Sequence, residues 1–225
     1  MKQLIQGVAL LWVISMSGIF FACASTPKGD PVRIGNSEKA AEAVGETYSI
    51  DSSSSQIHFV GSGVGASHPG SFRLSSGSLA VANNRVTSGS FVININSLAL
   101  DEQNKAVQER LHPHLLSADF FDVKRFPTAK FVITRIVPFQ SSMADSSIVK
   151  GANFSVSGNL TLKDNTKNIT FPAKIELTGN TLRATANLNI DRTQWSVNYK
   201  SEKSMKDKFI SDLVNVRLEI QAKKP

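Results

Sequence analysis

From Tyr48 to the end of the chain, apolar and polar residues alternate with a period of two. Phe91, Ile93 and Ile95 alternate with polar or small partners, as do Phe131 and Ile133. So do Phe154, Val156, Leu160 and Leu162, and then Ile169, Phe171, Ala173, Ile175 and Leu177. Leu182, Ala184, Ala186, Leu188 and Ile190 form another such row, and Val214, Val216, Leu218 and Ile220 the last. Successive side chains of a strand point to opposite faces, so each row is a strand with one dry and one wet face. This is the pattern of antiparallel sheet.

The connections between rows are short and rich in turn formers. Gly179-Asn180, Asn83-Asn84 and Asp164-Asn165 each join two rows, and glycine and asparagine tolerate the positive φ of tight hairpins. About eight strands result, mostly joined to their neighbours. Eight strands with one apolar face close into a barrel that can hold a small ligand. A two-sheet sandwich buries the same faces, and periodicity alone does not separate the two. The expected fold is all-β and antiparallel, a barrel or a sandwich, with one short helical insertion. That insertion is Asp101 to Leu116, with Asp101 as N-cap and Val107, Leu111 and Leu115 turned to the sheet. Pro113 should end or kink it near Leu111.

The N-terminus reads as a targeting signal. Lys2 precedes an apolar stretch from Leu4 to Phe21, and Ala22-Cys23-Ala24-Ser25 follows. Cys23 is the single cysteine, so no intrachain disulfide can form. Its position resembles the lipobox of bacterial lipoproteins, in which that thiol is acylated. The alternative is ordinary cleavage, which leaves a soluble periplasmic or secreted protein. Residues 24–45 are polar and read as a flexible tether. The expected division is a signal peptide over 1–22, a lipidated N-terminus and tether over 23–45, and a barrel over 46–225.

Composition narrows the function. The formal charge is +7, but Lys and Arg are scattered and no aromatic-rich basic stripe appears, so no nucleic-acid partner is expected. The 13 Phe against 2 Trp and 2 Tyr put apolar volume in rings without polar atoms. His112-x-His114 is poor spacing for a metal site, and no nucleophile elbow is present, so neither a metal nor catalysis is expected.

The stretch His114-Leu115-Leu116-Ser117-Ala118-Asp119-Phe120-Phe121-Asp122-Val123, with Phe126-Pro127, resembles the HLxSxDFFDVxxYP signature of the YceI-like family. Tyr48-Ser49-Ile50-Asp51 resembles the opening of that domain, and His68 with Gly70-Ser71-Phe72 and Gly77-Ser78-Leu79 its next turn and strand. Gly158-Asn159-Leu160-Thr161-Leu162 and Asp191-Arg192-Thr193-Gln194-Trp195 resemble two later elements, in order. The resemblance implies a lipocalin-like barrel with a helix over one end, exported, binding polyisoprenoid or quinone-type lipids and carrying no cofactor.

On that reading the cavity is lined by Phe91, Ile93, Phe131, Ile133, Phe154, Val156, Phe171, Ala173, Ala184, Ala186, Leu188, Val216 and Leu218. Gly158, Ala173, Ala184 and Ala186 leave room inside. His68, His114, Phe120, Phe121, Arg192 and Trp195 are candidates for the mouth or a headgroup contact. Phe120 and Phe121 could equally be core packing, and Arg192 and Trp195 could equally lock strands together. Cys23 would carry the lipid and tie the protein to a membrane, expected to be the outer membrane on its periplasmic face. Two rival functions stay open at this point: an interaction domain with a solid barrel, and an enzyme acting on a hydrophobic substrate.

Overall fold

The computed structural model describes residues 25–140, 147–202 and 209–225. The segment expected as a signal and Cys23 lie outside them. In chain order the elements are β1 (Asp30–Pro31), β2 (Arg33–Gly35), β3 (Glu46–Ile50), β4 (Gln56–Gly63), β5 (Ala66–Ala82) and β6 (Arg85–Leu100). The helix α1 (Lys105–Leu116) comes next, then β7 (Thr128–Pro138), β8 (Phe154–Leu162), β9 (Asn165–Thr178) and β10 (Thr181–Asp191). A 3₁₀ turn (Arg192–Trp195) and β11 (Leu213–Lys223) complete the chain.

The strands β5 to β11 pair antiparallel, each with the next in the chain, β6 and β7 included although the helix lies between them. The ring is closed between β11 and β5 by β3 and β4, which share one position. This makes an eight-position antiparallel barrel, one of the two folds that the alternation allows, and excludes the sandwich. Between β3 and β4 the chain bends through Asp51–Ser54. The Asp51 carboxylate accepts from the N–H and hydroxyl of both Ser53 and Ser54, and from Lys223 of the paired strand β11. Register shifts in β5–β6 at Ser71/Arg73, Leu74/Ser76 and Ala80/Val81 bend these long strands round the ring.

Three hairpins carry the predicted turn chemistry, with one shift. Asn83 and Asn84 both have positive φ, and Gly179-Asn180 links β9 to β10. At the third hairpin Lys163 and Asp164 take the left-handed conformation (φ 48 and 61°), so the turn lies one residue before the expected Asp164-Asn165.

The helix differs from expectation at its start and at Pro113. It is capped by Asn104, whose side chain accepts from the Val107 N–H, and it begins at Lys105 rather than Asp101. Pro113 lies inside it, and the helix runs on to Leu116. The proline forfeits one main-chain hydrogen bond. The final carbonyls are then satisfied from beyond the helix: Phe121 N–H donates to Leu115 O and Val123 N–H to Leu116 O. That wrap sets Phe120 and Phe121 back against the barrel end.

The segment expected as a flexible tether is instead part of the wall. Strand β10 pairs β9 only through Thr181–Thr185, and beyond that the two strands part. β1 bonds the freed edge of β10 at Leu188 and Asn189, and β2 bonds the freed edge of β9 at Asn168–Thr170. Asp30 is buried and accepts from Ser147 Oγ (2.6 Å) and Ile148 N–H (3.0 Å). The chain then crosses β8 at Asn159, β7 at Ile133 and β6 at Thr87 before entering β3. Hydropathy missed this because the segment docks through main-chain hydrogen bonds, which leave little apolar signature.

Candidate functional site

The inward rows of the strands do not fill the barrel. They enclose two apolar chambers, one of about 180 Å³ and one of about 50 Å³. The larger lies at the end where β10 runs into the 3₁₀ turn, beneath Leu115, Phe120 and Phe121. The smaller lies toward the opposite hairpins, against Leu182, Ala184 and Ala186. The accessible lining of both is wholly apolar. An apolar cavity of roughly 150 Å³ lined by Leu, Ile and Phe stays dry and takes up hydrocarbons.

Four residues border both chambers: Phe91, Phe131, Phe171 and Leu218. They form a waist. The Phe131 ring is stacked on Phe91 (centroids 5.2 Å apart) and tilted against Phe171 (5.9 Å). Opposite Phe131's strand, at Gly158 of β8, a Cβ would collide with that ring. Gly158 therefore gives its space to Phe131 rather than to the cavity.

Of the residues expected to line the cavity, Ile93 and Val216 border the larger chamber, and Ile133, Val156, Ala173, Ala184 and Ala186 the smaller. Phe154 and Leu188 border neither. Phe154 starts β8, opposite Ala173, and is spent on packing against the core. Leu188 lies on β10 between Ala186, which faces the smaller chamber, and Ile190, which faces the larger, and is spent on core packing.

The mouth candidates separate in the same way. Phe120, Phe121, Arg192 and Trp195 line the larger chamber. Arg192 offers it only the apolar stem: its Nε, Nη1 and Nη2 donate to the carbonyls of Ser211, Val197 and Ile210, and Asp212 lies 3.7 Å away. Burial pushes the guanidinium below its ordinary pKa, and Asp212 opposes that. Trp195 is fully buried and donates Nε1–H to Leu160 O (2.9 Å). These polar atoms hold the 3₁₀ turn in place, which is the structural one of the two readings open for Arg192 and Trp195.

His68 and His114 do not line the chambers. His68 Nδ1 lies 3.2 Å from Glu102 and ties the start of β5 to the link before α1. The Asn104 N–H, then His68, hold the Glu102 carboxyl below its ordinary value. His114 Nε2 lies 3.0 Å from Asp119. Its ring meets Phe120 and Tyr199 edge-on, with centroids 5.1 and 4.8 Å away, in an aromatic cluster over the larger chamber.

Sequence reasoning did not select Ile57 and Phe59 of β4, nor Phe72, Ile95, Leu160 or Tyr199. Ile57 and Phe59 alternate with Gln56 and His58, but Val60-Gly61 breaks the row after two apolar residues, too few to stand out. Tyr199 sits in an irregular loop with no period to read. Among the described residues no group of three His, Cys, Asp or Glu is placed to hold a metal ion.

A closed antiparallel barrel around an apolar interior is the architecture of barrels that enclose a small ligand. Residues 48–222 match the model of the YceI-like domain, and the chain belongs to that family. The fold is similar to the crystal structure of Burkholderia cenocepacia BcnA (TM-score 0.60, 21% identity, 77% of this chain and 99% of that one). It is also similar to a polyisoprenoid binding domain from Saccharophagus degradans implicated in plant cell wall breakdown (TM-score 0.56, 18% identity, 83% of this chain and 100% of that one). A UPF0312 protein of Pseudomonas putida (strain W619) is 43% identical over 60 residues, 27% of this chain and 26% of the relative.

Proposed function

We propose that this protein binds a long apolar ligand, of polyisoprenoid or isoprenoid quinone type, inside its barrel, and that binding rather than catalysis is its role. The observation that carries the reading is the wholly apolar pair of chambers. Such a space gains from removing hydrocarbon surface from water, at roughly 25 cal/mol per Å². It offers nothing to a polar headgroup, which on this reading stays outside. The solid-barrel alternative is disfavoured by the space itself. The polyisoprenoid named for the Saccharophagus degradans domain is carried to this chain as part of the proposal.

The same reading places the protein at the cell envelope, held through acylated Cys23 on the periplasmic face, with the outer membrane preferred. Metabolic labelling with an alkyne fatty acid tests the anchor: wild type should be labelled and Cys23→Ser should not.

The ligand is tested by native mass spectrometry of the protein isolated from its own host, followed by organic extraction. An extractable isoprenoid of matching added mass is the expected result. A ligand-free mass that stays unchanged after incubation with menaquinone and polyprenol would overturn the reading.

A further inference from the structure

We propose that the smaller chamber is a separate subsite for the far end of a long branched hydrocarbon, and that Phe131 is the gate that makes chain length selectable. The inference rests on the proposed binding function and goes beyond it by assigning the two chambers different tasks.

The chambers meet at Phe91, Phe131, Phe171 and Leu218, the residues that border both among those described. The larger one lies under Leu115, Phe120 and Phe121. A short apolar molecule is accommodated there without passing the waist. A longer chain has to pass the rings to reach the second space. Phe91 and Phe171 each abut Phe131, so displacement of Phe131 is the step that joins the two. Gly158 gives that ring its parking place against β8. The second space exists because β9 and β10 present Ala173, Ala184 and Ala186 there, where their other inward positions carry Phe171, Leu182 and Leu188. Three small side chains on two strands leave a pocket of about 50 Å³, sized for the branched end of a chain and not for a whole ligand.

The experiment is a titration of the full chain with geraniol and with the longer geranylgeraniol. It is followed through Trp195, which lines the larger chamber; the other tryptophan, Trp12, lies in the leader. Ala184→Leu fills the smaller chamber. It should leave geraniol affinity within about twofold and lower geranylgeraniol affinity by roughly tenfold or more, the cost of a few excluded methylenes. Phe131→Leu thins the gate and should raise the ratio of geranylgeraniol to geraniol affinity. Equal effects on both ligands, or no effect of either substitution on the ratio, would overturn the gate while leaving the binding function intact. If wild type binds neither alcohol, the binding function itself falls and this inference with it.

Discussion

The ring of Phe131 on β7 occupies the space that a side chain at Gly158 on β8 would need. An ordinary residue on β8 would force the ring forward into the waist between the chambers. Gly158→Ala should therefore destabilise the barrel by about 1–3 kcal/mol, the usual cost of overpacking a core. It should also push Phe131 toward Phe91 and Phe171. Chemical denaturation measures the first effect. An unchanged midpoint would mean that the ring has another place to go.

Arg192 illustrates how a residue can line a cavity without serving it. Its three nitrogens bond the carbonyls of Ser211, Val197 and Ile210, joining the 3₁₀ turn to the approach to β11. A lysine has one compact ammonium and cannot span three diverging carbonyls. Arg192→Lys should cost about 2–4 kcal/mol, since buried acceptors lose a charged donor. Its effect on ligands should follow from stability alone. A selective loss of affinity for polyprenyl phosphate over the matching alcohol would instead restore the headgroup role.

These two residues mark the limit of what the sequence reveals. Alternation identified the strands and the inward row, because burial of one face imposes a period of two wherever a strand is long. The family resemblance placed Arg192 near the mouth, but which way a guanidinium turns depends on carbonyls 5 to 19 positions distant. Gly158 was read as spare room, and only the packed neighbour shows that the room is taken. The waist was illegible for the same reason: Phe91, Phe131 and Phe171 look alike along the chain, and their mutual contacts are set by register across three pairs of strands.

Asp51 gives the fold a defined response to acid. The hydroxyl of Ser53 first, then that of Ser54, hold its carboxyl far below the ordinary value of 3.8, and Lys223 adds to this. A carboxyl lowered in the folded state contributes stability that is present above the unfolded pKa and fades as pH falls through the folded one. The stability difference between wild type and Asp51→Ala should thus be constant near neutrality and shrink once pH drops below about 4. Urea midpoints of the two proteins, compared across that range, check the sign. A difference that grows on acidification would contradict it.

The N-terminal segment fits the barrel so closely at one point that a single methyl group should lift it. A Cβ at Gly29 would lie 2.5 Å from Asn189 Oδ1, 2.6 Å from Asn215 Nδ2 and 2.8 Å from the Leu188 carbonyl carbon. Two of these three are side-chain tips that can give way, but the third is main chain. Asn215 is buried here and bonds Asn187, Asn189 and the Lys28 carbonyl, so its displacement disturbs a network. Gly29→Ala should pull β1 off β10 and, through it, β2 off β9. Amide exchange reads this directly. Protection should fall at Leu188, Asn189 and Asn168–Thr170, where the added strand closes the parted edges, and persist at Thr181–Thr185, where β9 and β10 bond each other. Loss at both places would mean that the segment supports the whole seam; loss at neither would mean that the strand stays seated and the asparagines yield.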